Sequence, residues 1–245
     1  MTLISTVSAP FDILAPPDFS ASIVPSYPVE IETKKNVLAS QSEKGARQVG
    51  AKSRAFRFYT LPFKGRKRAE FDTFQPLWED TYPGWTFEWT NAVFDASGEF
   101  YVDSPLTWVP ARHNLLDYSL VLKQKSPIAT AVPASNELPF LPSYNYDAKP
   151  MKEVVVSDAP SGSRRALELS TVLWPFNLTF RSRPLAEVLE MEQFWDYHYP
   201  GRPVSYTDPV LNISGLFWVD SNFKWSVRDL NLVDYAFALR EVSAV

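Results

Sequence analysis

The sequence predicts a mainly β fold of α+β type, built as two tandem homologous β-sandwich or split-barrel domains with one helix each. Three observations carry that expectation. Tyr82-Pro83-Gly84 recurs as Tyr199-Pro200-Gly201, and the same offset of 117 residues relates the chain to itself along its length. Apolar residues alternate with a period of two in several segments of each copy, as in half-buried strands. One segment per copy carries apolar residues at helical spacing instead.

The repeat sets the domain organisation. The offset carries Val102-Asp103-Ser104 onto Val219-Asp220-Ser221, Trp78 onto Trp195, Trp108 onto Trp225 and Asp117-Tyr118 onto Asp234-Tyr235. From Pro25 to Lys123, 32 of 99 positions match their partners without a gap. The period is far longer than that of a solenoid repeat, so each copy is expected to be a domain with its own core. The boundaries are residues 1–125 and 126–245. The proline-rich stretch from Ser126 to Pro142 resembles a linker in composition, yet it aligns with the chain before Pro25. Each domain is therefore expected to begin with its own extended arm.

The elements follow in order, each copy checking the other. Glu30 to Ser53 is polar and charged and predicts a long hairpin or loop rather than core. Tyr59, Leu61 and Phe63 alternate, as do Phe176, Leu178 and Phe180, which predicts a strand. Phe71, Phe74 and Trp78 then step at helical spacing, interrupted by Pro76. Val188, Met191 and Trp195 form the matching stripe with Gln193 in place of that proline and Pro184 at the helix start. A helix results in both copies, kinked or shortened in the first. Tyr-Pro-Gly ends it. Trp85, Phe87 and Trp89 alternate on the next strand, answered by Val204 and Tyr206. Further strands run through Phe100 to Asp103 and Phe217 to Asp220. The last reads Leu116, Tyr118, Leu120 and Leu122 against Val233, Tyr235, Phe237 and Leu239.

Composition narrows the function. With 24 basic and 28 acidic residues the charges nearly balance, unlike a protein whose main partner is a nucleic-acid backbone or an anionic membrane. The absence of cysteine removes disulfides, thiol nucleophiles and thiolate metal sites. Met1 to Pro10 lacks a signal-peptide pattern and no apolar run reaches membrane-span length, so the expected setting is cytosol-like. The 21 prolines against 8 glycines and the 15% aromatic content predict extended arms and an aromatic core.

The search for chemistry yields no catalytic, cofactor-binding or metal residues. His113 and His198 do not correspond in the repeat and lack a second ligand at metal spacing, so both are expected to be surface or loop histidines. Asp103 and Asp220 could form a carboxylate pair, but as duplicated equivalents they are expected to make turns beside Ser104 and Ser221. Asp117 and Asp234 are read the same way. No glycine-rich phosphate loop or nucleophile elbow is present. Lys64, Arg66, Lys67 and Arg68 could grip a phosphate backbone, yet only positions 64 and 66 stay basic in the second copy, as Arg181 and Arg183. A solvated face near a helix start is the expectation. Trp78, Trp108 and their repeats are expected in the core. Trp85 pairs with Arg202, and Trp174 with Arg57, and such copy-specific aromatics are candidates for interfaces.

The run Leu77-Trp78-Glu79-Asp80-Thr81-Tyr82-Pro83-Gly84, then Phe87-Glu88-Trp89-Thr90, Trp108 and the alternating strand from Tyr118 to Leu122 resembles the minor tail or distal tail proteins of long-tailed bacteriophages. The resemblance covers the C-terminal half of each copy. The second copy departs from it, with Val204-Ser205-Tyr206-Thr207 in place of the Phe-x-Trp-Thr strand. What the resemblance implies is a tail-tube-like domain, here present twice, that forms a ring at the distal end of the tail tube. Its implied partners are itself in a ring of three or six chains, the tail tube protein, and tail tip or baseplate hub proteins. It implies assembly in the host cytoplasm, a place in the virion, no membrane contact, and DNA at most as passing cargo. Three chains would present six equivalent domains to a sixfold tube. The alternatives are a carbohydrate-binding or adhesin module, which predicts exposed aromatics at equivalent positions, and an enzyme with a carboxylate pair in a cleft, which predicts a buried Asp103 or Asp220.

Overall fold

A computed structural model of the chain describes residues 25–41, 47–143, 147–148, 150, 154–158, 164–168, 174–229 and 232–242. The first copy contains β1 (Val29–Lys34), β2 (Val37–Gln41), β3 (Arg47–Ala51), β4 (Phe56–Lys67), α1 (Arg68–Thr81), β5 (Thr86–Asn91), a single 3-10 turn (Ala92–Phe94), β6 (Ala96–Val102), β7 (Thr107–Arg112) and β8 (Leu115–Gln124). The second repeats the order as β9 (Asp147–Ala148), β10 (Val154–Asp158), β11 (Arg164–Glu168), β12 (Pro175–Arg183), α2 (Leu185–His198), β13 (Val204–Asp208), β14 (Ile213–Val219), β15 (Phe223–Asp229) and β16 (Leu232–Glu241). The protein is mainly β, with two helices among the described residues, neither long and apolar enough to cross a membrane.

Twelve strands form one antiparallel sheet that includes both copies. Its backbone is the run β9, β12, β16, β15, β1, β4, β8, β7. Beyond its contact with β15, β16 pairs with β14, which carries β13, and β8 in the same way pairs with β6, which carries β5. The remaining strands make two hairpins, β2 with β3 and β10 with β11.

Alternation explains the core. In β4, Tyr59, Leu61 and Phe63 are buried, and in β12 so are Phe176, Leu178 and Phe180. Leu116, Tyr118, Leu120 and Leu122 of β8 match Val233, Tyr235, Phe237 and Leu239 of β16, all buried. The inner aromatics repeat as a set. Tyr59, Trp89 and Phe100 meet edge to face at 5.3 to 5.6 Å, and their counterparts Phe176, Tyr206 and Phe217 do so at 5.5 to 5.8 Å. Edge-to-face geometry sets the positive rim of one ring against the negative face of another.

The details copy as faithfully. Each long strand breaks register just before its helix, between Phe63 and Arg66 and between Phe180 and Arg183. The break turns on Gly65 (φ 61°) and Ser182 (φ 52°) in the left-handed region. The backbone N–H of each donates to a carboxylate, Asp117 at 2.6 Å and Asp234 at 2.8 Å. These aspartates therefore hold a bulge. Ser104 and Ser221 end β6 and β14: their hydroxyls accept the N–H of Val121 and Ala238, and their carbonyls accept the indole N–H of Trp78 and Trp195.

Three expectations need correction. The segment from Glu30 to Ser53 does contain a hairpin, β2 with β3, but it opens on the core strand β1, where Val29, Ile31 and Thr33 are buried. Its charged residues fall on the alternate positions. Pro76 does not shorten α1, which has 14 residues like α2. Pro76 is exposed, so the carbonyl that loses its helical donor can be met by water. Trp85 precedes β5 rather than sharing the face of Phe87 and Trp89 and is 68% exposed.

Candidate assembly interface

The place where the two copies join is built from β1. It lies between β4 of its own copy and β15 of the other, with Ile31 opposite both Tyr59 and Trp225, and Glu30 opposite Ser226. Phe223, Trp225 and Val227 of β15 are buried there with Val29, Ile31 and Thr33. Backbone pairing and side-chain burial thus act together on one seam.

Helix α2 lies over this seam and reaches into the first copy with two carboxylates. Glu192 is 1% exposed and accepts the hydroxyl of Thr33 and a forked pair of bonds from Arg57, Nε at 3.0 Å and Nη2 at 2.5 Å. Arg57 also donates through Nη1 to the Asp95 carboxylate at 2.9 Å and to its carbonyl at 3.1 Å. Burial alone would lower the Arg57 pKa, but the Glu192 charge outweighs it and holds the guanidinium well above its usual value. Asp196 receives the Lys35 ammonium at 2.7 Å and the Thr130 hydroxyl at 2.6 Å, and Lys35 also donates to the carbonyl of Tyr199 at 2.8 Å. Burial pulls the Lys35 pKa down despite Asp196. At the rim, Glu32 takes Asn222 at 3.1 Å and Lys224 at 3.7 Å.

Such a network orients more than it stabilises, because desolvation offsets much of the attraction. Breaking it is another matter, since a buried charge is left without its partner. The extended segment after Ser126 adds a strap: the N–H of Ile128 donates to Ala55, and Ser205 exchanges backbone bonds with Asn136 and Leu138.

The other residues singled out in the sequence lie elsewhere. Asp103 and Asp220 are both exposed at strand ends. His113 is exposed, but His198 is not the surface or loop residue expected: it is 1% exposed at the end of α2, against the Phe194 ring at 4.3 Å. Burial holds its imidazole below the usual pKa, the nearby Arg202 charge pushing the same way. No group of three or more metal-ligating side chains occurs among the described residues. Lys64, Lys67 and Arg68 are exposed, and Arg66 and Arg68 pair with Glu70 and Asp72 one helical turn on. Trp195 and Trp225 are buried and Trp78 packs half-buried against the core, but Trp108 is 48% exposed, contrary to expectation. Among the described residues its strand, β7, has a neighbour on one side only, β8. The exposed tryptophans Trp85 and Trp108 have Arg202 and the buried Trp225 as counterparts, so they do not form equivalent paired platforms.

The seam residues were only half visible in the sequence. Arg57 stood out only as the counterpart of Trp174, and nothing in the sequence singled out Glu192 or Asp196. The missed signal was a paired change: Glu192 and Arg57 have Gln75 and Trp174 as their counterparts, so acid and base are exchanged together.

No protein-family model and no curated protein sequence matches this chain.

Proposed function

We propose that the protein is a structural component of a bacteriophage tail that forms a ring at the distal end of the tail tube and connects it to the tip or baseplate hub. The observation that carries the reading is the side-by-side union of two homologous copies in one sheet, head to tail, through β1 and β15. A contact in which one surface meets a different surface of an equivalent unit repeats by rotation, and closed rotation makes a ring. The resemblance of the segment from Leu77 to Leu122 to minor tail proteins supplies the location. Three chains would bring six copies around the axis, matching a sixfold tube. The exposure of Asp103 and Asp220 favours this reading over a buried catalytic pair, and the unmatched tryptophans favour it over a two-site glycan binder.

Light scattering joined to negative-stain imaging of the purified protein tests it. Rings of three or six chains with a central channel are expected. A single chain at every concentration, binding glycans through Trp85 or Trp108, would sink it.

A further inference from the structure

The two ends of the long sheet are unequal to its middle. β1 has a neighbour on each side, whereas its counterpart β9 pairs only with β12 among the described residues. β15 is likewise flanked by β16 and β1, whereas its counterpart β7 pairs, among the described residues, only with β8. Burial follows: all six residues of β7 are exposed, while Phe223, Trp225 and Val227 of β15 are buried. Trp108 sets one edge on the Phe71 ring at 6.0 Å and leaves its other side open, and the equivalent Trp225 is 2% exposed. The same residue at the same place in the repeat differs because one has a neighbouring strand and the other has none among the described residues.

We propose that a second copy of this chain supplies that neighbour: β7 of one chain pairs antiparallel with β9 of the next and repeats the β1–β15 seam. This rests on the ring reading above and names the surface through which the ring would form. The register carries over by the repeat offset, placing Ala148 opposite Trp108 and Asp147 opposite Val109. Helix α1 then occupies over this joint the position that α2 holds within the chain.

The chemistry of the two joints differs in a way that fixes their order. Between chains, Gln75 and Glu79 replace Glu192 and Asp196, and Trp174 and Pro150 replace Arg57 and Thr33. Gln75 donates to Glu79 at 2.7 Å within α1. The joint between chains therefore has no counterpart of the Arg57–Glu192 ion pair. A wrong pairing of β7 with another chain's β1 would have to displace β15 and would set Arg57 beneath Gln75, exchanging its buried Glu192 carboxylate for an amide and leaving it Asp95 alone. Alternation of the two joints follows.

The absence of cysteine makes the test direct. The double variant V109C/D147C places one thiol on each proposed edge. Mild oxidation is expected to give disulfide-linked dimers and higher species on a non-reducing gel, with neither single variant doing so. Trp108→Glu is expected to raise the concentration needed for assembly at least tenfold while the melting midpoint of the single chain stays unchanged. A closed ring that Trp108→Glu leaves intact and that V109C/D147C does not cross-link would overturn this joint and leave the ring reading standing. Cross-linked ladders that never close would support the joint and remove the ring. A protein that stays a monomer and forms no cross-link would remove both.

Discussion

Ser182 and Gly65 occupy the same left-handed bulge, and only one of them is a residue that adopts it without cost. Ser182→Gly is expected to raise stability by up to about 1 kcal/mol, and Gly65→Ser to lower it by a similar amount, in urea denaturation. Removing the carboxylate that braces the bulge, by Asp117→Ala or Asp234→Ala, is expected to cost about 1–2 kcal/mol, because the strand N–H loses a charged acceptor. His198 gives a pH signature. Its pKa is lowered on folding, so below the ordinary value of 6.5 the unfolded chain binds the proton more readily. Stability is therefore full above about pH 6.5 and falls as the pH drops below it. His198→Phe should flatten denaturation midpoints measured between pH 5 and 8, and a profile unchanged by the substitution would show that another group sets the acid limit. At this scale the sequence was informative where residues repeat. Their recurrence marked Asp117 and Asp234 as structural, but the turn expected of them was wrong: both lie within β8 and β16 and brace the bulge of the neighbouring strand. The burial of His198 was not legible, because Thr81 at its counterpart position gave no hint.

Strand and helix positions followed from period where both faces of an element differ. β4, β8, β12 and β16 were legible because their buried faces are apolar at every second residue. β1 was hidden by Glu30, Glu32 and Lys34, which occupy its outward positions, and its role depends on a partner nearly 200 residues away. β7 was hidden by its exposure, since a strand open on one side need not keep an apolar face. In α1 the proline penalty is paid at an exposed site, so Pro76→Ala should stabilise the protein, by up to about 3 kcal/mol in thermal or urea unfolding. In α2 the opposite holds for a buried charge: Glu192→Ala takes the buried carboxylate from Arg57, leaving only Asp95 on Nη1, and is expected to cost about 3 kcal/mol. Arg57→Met combined with Glu192→Leu should recover much of that loss, which would separate the cost of a buried charge robbed of its buried partner from the worth of the pair.

Across the whole molecule, the buried side chains of both copies form one continuous cluster beneath one sheet. A single cooperative transition is expected, with far- and near-ultraviolet circular dichroism coincident, and Glu192→Ala is expected to split it by loosening the seam. Two coincident transitions in the variant would mean that β1–β15 pairing alone couples the copies. The repeat announced two equivalent units but not their union, because a repeat reports what copies share and the seam lies where they differ. That difference has a consequence in mass action. A contact enclosed within one polypeptide forms at an effective concentration set by the tether and does not dilute away. In a closed ring with alternating joints, half of the contacts are then complete before any two chains meet. The concentration at which such a particle appears depends on the other half alone, so a few residues along β7 and β9 would govern when assembly begins.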